Sequence, residues 1–416
     1  MSSPQPDPQL SLQPDPATHH PRHAAVQRPP AAQTAATHAV WSGAPAARGS
    51  GTGFVFGIIG IVIGAALLLL VIGYFTASFG AGAVVVSALV ALLPLLGVLF
   101  AVRWIDRWEP EPRFALAFAL LWGAGVAVAI ALLVDLFVQI TLAIGGGGTS
   151  EASEALSVAV QAPVVEEIAK GLGVLLLVWI ARKSFDGPVD GLVYAAVVAA
   201  GFAFTENILY FGEALIEGGT VDLGATFVMR GLFSPFAHVM FTACTGIAIG
   251  FGVTRTRGAS ILGYVALGLV FAIGLHALWN GSLLVVTDFF GYYFLVQVPL
   301  FAFAIVLVVL LRRAEQRATR VRLQEYADAG WFAEGEVHML ATAQGRRAAR
   351  RWARALPGEK GAAMKQFTAD ATRLALVRQR ILSGRGGLEV IGEERALLDA
   401  ITRDRAALLA PTGPAF

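Results

Sequence analysis

The sequence predicts an all-α, polytopic membrane protein with about eight transmembrane helices. Three observations carry that reading. Hydrophobic residues make up 56% of the 416 and charged residues only 14%, whereas a soluble chain carries about 25% charged residues. Apolar runs of the ~20 residues needed to cross a ~30 Å hydrocarbon core recur through the middle of the chain. The loops between them alternate in charge. Helices are the only reading for such runs, because lipid leaves the backbone of an isolated strand without partners.

The elements follow in order. Residues 1–53 are rich in Pro and Ala and lack apolar periodicity, so they read as a disordered cytoplasmic tail. This tail is not read as a signal peptide, since the first apolar run begins only near Phe54. His19, His20 and His23 within it read as solvated histidines rather than metal ligands. The membrane core spans 54–311, with predicted helices at 54–77, 81–102, 114–142, 157–181, 189–211, 226–253, 260–286 and 291–311. One set of loops contains "RWIDRWEPEPR", "RKSFDG" and "TRTRG", and the chain leaves the last span through "LRRAEQR". The other set, "GGGGTSEASE", "GEALIEGGTVD" and "TDFFGYY", has no Lys or Arg. By the positive-inside rule both termini are expected to be cytoplasmic. Residues 312–416 read as an Arg-rich cytosolic helical domain with breaks near Gly330, Pro357 and Gly384–Gly387. Its basic face is expected to be a solvated, membrane-adjacent surface, with no nucleic-acid partner. Cys244, the single cysteine, excludes an intramolecular disulfide and reads as a packing residue.

Ionisable residues inside the spans cost roughly 2.5–3.5 kcal/mol each on insertion scales and mark function. The fourth span carries Glu166, Glu167 and Lys170, and the fifth Glu206 and Asn207. The sixth carries Arg230, His238 and Thr242, and the seventh His276 and Asn280. Glu166 and Lys170, His238 and Thr242, and His276 and Asn280 each share a helix face at i,i+4 spacing. Counted at 1.5 Å per residue from the outer boundary, Glu166, Glu206, His238 and His276 reach a common depth of roughly 8–18 Å. Asp135 and Gln139 fall at a similar depth and are expected to stand behind them. By spacing Glu166 partners Lys170, which leaves Glu167 freer to face the site. Pro163 and Pro235, each three residues before a functional side chain, are expected to bend their helices. Arg230 reads as snorkelling to headgroups rather than gripping a substrate.

Carboxylates and two imidazoles screened from bulk water suit the activation of a water molecule. Zinc takes such donors and keeps a position open. A neighbouring glutamate then serves as general base and passes the proton to the leaving amine. His276, Asn280 and Thr242 are candidates for orienting water or stabilising an oxyanion.

These motifs resemble a known family. E-E-x-x-K (Glu166, Glu167, Lys170), F-x-x-x-E-N (Phe202, Glu206, Asn207), H-x-x-x-T (His238, Thr242) and H-x-x-W-N (His276, Trp279, Asn280), with "DRWEPEP" before the third span, resemble the PrsW family over about residues 80–311. The family comprises bacterial intramembrane proteases of the plasma membrane, distantly similar to type II CAAX prenyl endopeptidases. The resemblance implies cleavage of a membrane-anchored protein substrate, of the anti-sigma-factor kind, within or beside the lipid bilayer. It implies a catalytic set of Glu166, Glu167, Lys170, Glu206 and Asn280, and a zinc ion on His238, His276 and Glu206. Glu206 stands where the CAAX relatives have histidine, so the zinc cage would need this carboxylate. A metal-independent glutamate protease of the same fold is the alternative, followed by a transporter or a non-catalytic membrane scaffold.

Overall fold

A computed structural model describes residues 51–145, 150–182, 184–256, 258–384 and 388–410. The expected N-terminal tail with its three histidines, residues 146–149 of the Gly-rich loop and 385–387 lie outside the described residues. Every regular element among the described residues is helical, as the apolar runs require. The chain divides into two compact units, one ending at Gln316 and the other beginning at Arg317.

In the membrane unit a helix stands at each of the eight predicted places. They are α1 (Gly51–Phe79), α2 (Ala81–Ile105), α3 (Arg113–Leu121) continuing into α4 (Val128–Ile144), and α6 (Ala162–Ile180) after the short α5 (Glu151–Leu156). Then come α7 (Pro188–Phe227), α8 (Ala237–Arg255), α9 (Ile261–Val285), α10 (Phe289–Tyr292) and α11 (Val298–Asp328). Among the described residues six helical stretches are long and apolar enough to cross a membrane, and one of them, Pro188–Arg255, holds both the fifth and sixth predicted spans. Helix α6 is not among the six. Its three charged side chains lower its hydropathy, yet Glu167 and Lys170 are 0% exposed and Glu166 only 8%, so their charges face protein rather than lipid.

α7 forms the axis of this unit. Its N-terminal half is almost wholly buried, and glycines let neighbouring backbones touch it. A Cβ on Gly123 would sit 1.9 Å from the Val198 carbonyl oxygen, and one on Gly201 would sit 2.1 Å from that of Leu120. Between α3 and α4 the chain makes a π-helical turn, Trp122–Ala127. Such a turn frees backbone groups from the regular ladder, and here Thr205 of α7 donates to the Ala124 carbonyl at 2.9 Å. From the same turn Trp122 donates its indole N–H to the Ala169 carbonyl of α6, also at 2.9 Å. One irregular turn thus fixes α6 and α7 together.

The expected proline bends take a different form. Pro163 occupies the first turn of α6, directly after a π-helical turn at Ser157–Gln161. Pro235 lies in the non-helical step before α8, which follows another π-helical turn at Val228–Phe233. The chain stays helical from Glu151 through the turn at Ser157–Gln161 into α6, so Pro163 sits beside an irregular turn within one helical run, whereas Pro235 precedes α8 and so does not bend it. Towards its C-terminal end α7 kinks at Gly219, whose φ of 69° and ψ of −150° are open to glycine.

The second unit packs the end of α11 with α12 (Glu334–Ala341), α13 (Ala343–Ala355), α14 (Lys360–Leu382) and α15 (Leu388–Leu409). Its core includes Leu323, Tyr326, Leu340, Phe367, Leu374 and Ile401. Buried Arg346 donates to the Leu340 carbonyl at 2.6 Å and to the Thr372 hydroxyl at 2.8 Å. Lys360 donates to the carbonyls of Ala407 and Ala410 at 2.7 Å each, near the C-terminal end of α15, where a cation is favoured.

Candidate active site

Four helices deliver the site. α6 turns Glu166, Glu167 and Lys170 inward, α7 brings Glu206, α8 brings His238 and Thr242, and α9 brings His276. Lys170 lies at the centre. Its ammonium donates to Glu167 Oε1 at 2.6 Å, and it stands 3.4 Å from Glu166 Oε2 and 3.2 Å from His238 Nδ1. The ring of Phe202 supports it from 4.1 Å, a cation–π contact that suits a fully desolvated ammonium.

The two adjacent acids divide differently from the expectation. Glu167 is the one fully engaged. Oε1 takes Lys170 and His276 Nδ1, the latter at 3.0 Å, while Oε2 accepts from the Thr242 hydroxyl at 2.8 Å. Glu166 makes only the longer 3.4 Å contact with Lys170, and its Oε2 faces His276 Nε2 at 3.9 Å. Spacing misjudged this because residues three and four apart both lie on one helix face; rotamer and neighbours decided between them.

The imidazoles are held from both sides. His276 presents Nδ1 to Glu167, so Nε2 is the nitrogen turned to Glu166. His238 meets Lys170 through Nδ1 and Glu206 Oε2 through Nε2, at 2.9 Å. With an ammonium able only to donate, Nδ1 accepts and Nε2–H donates to the carboxylate. The two rings lie 5.1 Å apart and nearly perpendicular, and Phe241 stacks on His276 at 4.9 Å.

Among the described residues, Glu166, His238 and His276 each offer a donor atom, all within 4.8 Å of one another. The expected ligand set had Glu206 in place of Glu166. Glu206 instead accepts from Arg230 as well as His238, which commits its Oε2 to two cationic or polar donors. Arg230 therefore departs from its expected role at the headgroups. Its Nε donates to Asn207 Oδ1 at 2.9 Å, its Nη2 to Glu206, and its guanidinium lies 4.0 Å from the Tyr210 ring centre. Nothing in hydropathy pointed to it. The signal was its place in "RGLFSPFAH", where a π-helical turn carries it back over α7.

Asn280, one turn beyond His276, donates to the Val158 carbonyl at 3.0 Å and has no described bond to the cluster. It satisfies a carbonyl of the π-helical turn before α6. Gln139 donates to Asp135 at 2.7 Å on an exposed stretch of α4, so this pair does not stand behind the site. Cys244 is half-buried and contacts the Met240 carbonyl at 3.6 Å, in keeping with packing.

Residues 111–307 match the family model described as "PrsW family intramembrane metalloprotease". The chain is 31% identical over 191 residues to "Protease PrsW" of Geobacillus kaustophilus, covering 45% of this chain and 75% of that one. It is also 31% identical over 199 residues to "Protease PrsW" of Clostridioides difficile, covering 47% of this chain and 79% of that one. No solved structure matches the chain. Both relatives are matched over more than two thirds of their length, the family model spans all four site helices, and this chain belongs to the PrsW family of intramembrane proteases.

Proposed function

We propose that the protein hydrolyses a peptide bond in or next to a membrane-spanning segment of a protein substrate, with Glu166 as general base. The observation that carries this reading is the convergence of Glu166, His238 and His276 within 4.8 Å, from three separate helices. Glu166 is the least committed carboxylate of the cluster, since Glu167 and Glu206 already hold other groups. It removes a proton from water, the hydroxyl oxygen bonds to the peptide carbonyl carbon, and the proton passes to the leaving nitrogen as the C–N bond breaks. Glu167 and Lys170 position His276 and His238. Arg230 positions Glu206, and through it His238. Asn280 fastens α9 to the turn before α6 and contacts no reacting group.

The donor set fits zinc once His238 gives up the Nε2 proton it shares with Glu206, since its other nitrogen is taken by Lys170. Two imidazoles and a carboxylate leave one position of a tetrahedral site for water, and a second carboxylate behind an imidazole, as Glu167 stands behind His276, is the usual orienting partner. Zinc on Glu166, His238 and His276 would supply, when bound, the Lewis acidity that yields hydroxide near neutral pH. Glu166 would then be a ligand, its role as general base belonging to the metal-free reading. One observation favours a second reading without metal: the Lys170 ammonium lies 3.2 Å from His238 Nδ1, a fixed cation that repels a dication.

The topology that suits this chemistry has eight crossings, both termini in the cytoplasm of a plasma-membrane protein, a catalytic core over 54–311 and a cytosolic domain over 312–416. The site then lies below the outer face, near membrane-anchored substrates such as anti-sigma factors. The deciding experiment reconstitutes the protein with a panel of single-span substrates. It compares wild type with Glu166→Gln, His238→Ala and His276→Ala, before and after chelation with metal content measured. Loss of cleavage in all three variants is expected; full cleavage by all three ends the protease assignment for this cluster. Cleavage that survives complete metal removal selects the metal-independent reading.

A further inference from the structure

The second unit carries a surface unlike the rest of it. α13, "AQGRRAARRWARA", has five arginines and no acid. Arg346, Ala349 and Ala353 form its buried stripe. Arg347, Arg351 and Arg354, at i, i+4 and i+7, form an exposed stripe on one face. Beside it runs a second exposed stripe, Ala348, Trp352 and Ala355, in which the Trp352 side chain is 49% exposed. α14 and α15 mix their charges, and α12 carries glutamates with no Lys or Arg. α15 exposes Glu393 and Asp399 beside Arg395 and Arg403, and exposed Arg373 of α14 pairs with Asp370 at 3.8 Å.

We infer that α13 is a docking surface for anionic phospholipid headgroups, with Trp352 entering the interface beside the arginine stripe. The pattern is that of an interfacial helix, a basic face flanking an aromatic apolar one. Charge complementarity selects anionic over zwitterionic lipid, and each exposed arginine near such a surface adds roughly fivefold to partitioning. Three together give on the order of a hundredfold. The chain supplies the rest: α13 follows α11, whose apolar run ends at Leu311 before Arg312 and Arg313. A segment tethered to a membrane helix meets headgroups at high effective concentration, so a patch too weak to recruit a free protein suffices here. An RNA backbone would satisfy the arginines, but nothing in α13 reads bases beyond one tryptophan.

The test uses the full chain in nanodiscs of neutral phosphatidylcholine or of phosphatidylcholine with phosphatidylglycerol. A Cys244→Ser, Ala348→Cys variant carries an environment-sensitive fluorophore on α13. Emission is expected to shift to the blue and to resist aqueous quencher only in the anionic discs. Raised salt should reverse this. The triple change Arg347→Gln, Arg351→Gln, Arg354→Gln should abolish it, and the corresponding triple Lys variant should retain it. Trypsin protection at Arg347, Arg351 and Arg354 in unlabelled protein gives an independent readout, expected in the anionic discs alone. Equal emission and equal trypsin cleavage in both lipids overturn the inference. So does a shift driven by an added oligonucleotide and not by lipid, or a Gln variant that behaves like its parent.

Discussion

His276 Nδ1 lies 3.0 Å from Glu167 Oε1 although 109 residues separate them, and the same oxygen takes the Lys170 ammonium at 2.6 Å. This pairing splits the two adjacent acids into different roles, which can be measured. Removing one partner of a buried ion pair costs about 3–5 kcal/mol, because the other charge is left uncompensated. Glu167→Gln should therefore lower unfolding stability in detergent by that order and lose turnover as well. Adding Lys170→Met should restore most of the stability and none of the activity, since His276 still lacks its carboxylate. Glu166→Gln should abolish turnover with stability changed by less than about 1 kcal/mol. A stable, inactive Glu167→Gln beside an active Glu166→Gln would reverse the assignment.

Arg230 makes a second, sharper case. Its fork reaches Asn207 with one nitrogen and Glu206 with another, a geometry lysine cannot copy. Arg230→Ala should reduce kcat by about ten- to a hundredfold with KM little changed, on the scale of misplaced positioning groups. Arg230→Lys should recover part of the loss. An arginine that merely reached the headgroups would leave kcat untouched in both variants.

Much of this architecture was legible in the residues. A helix stands at each place the apolar runs marked, and the residues that counting from the boundaries put at a common level, Glu166, Glu206, His238 and His276, meet in one cluster. That worked because both rest on the fixed rise of a helix and the thickness of a bilayer. What stayed hidden depends on irregular backbone. The π-helical turns at Trp122–Ala127, Ser157–Gln161 and Val228–Phe233 shift the register of everything beyond them. They carry Arg230 over α7 and give Asn280 a backbone carbonyl to bind. The preference of Lys170 for Glu167 over Glu166 was a rotamer choice set by Thr242 and His276, which no spacing within α6 encodes.

Helix contact supplies a stability test. A Cβ on Gly191 of α7 would lie 2.0 Å from the Gly246 carbonyl oxygen, and one on Gly246 of α8 would lie 2.1 Å from that of Gly191. Small residues let membrane helices approach this closely. Either Gly→Ala change must push the two backbones apart, at about 1–3 kcal/mol for overpacking. The double variant should cost much less than the sum, because one separation accommodates both methyl groups. Additive losses in denaturant titrations would mean that the two glycines act independently.

The loop between α2 and α3 adds a pH dependence. Burial pushes the Asp106 carboxyl from 3.8 up to about 6, against the opposing effects of the Glu111 backbone N–H and the Arg103 charge. Glu111 is likewise pushed well up, by burial and by Asp190, with Glu109 and Asp106 adding to it and the Tyr194 hydroxyl, 2.5 Å away, opposing. A carboxyl whose folded pKa exceeds its unfolded one binds its proton more tightly when folded. Its contribution is complete below about pH 4 and lost as pH rises through about 6. For Asp106 that loss is on the order of 3 kcal/mol at 1.36 kcal/mol per unit. Asp106→Asn keeps an oxygen to accept from Glu111 and removes the desolvated charge. It should raise the unfolding midpoint at pH 7.5 and flatten the decline between pH 4 and 6, while Glu111 retains its own dependence at higher pH. A variant less stable than wild type at pH 7.5 would show that the ionised Asp106, through Arg103, is worth more than its burial costs.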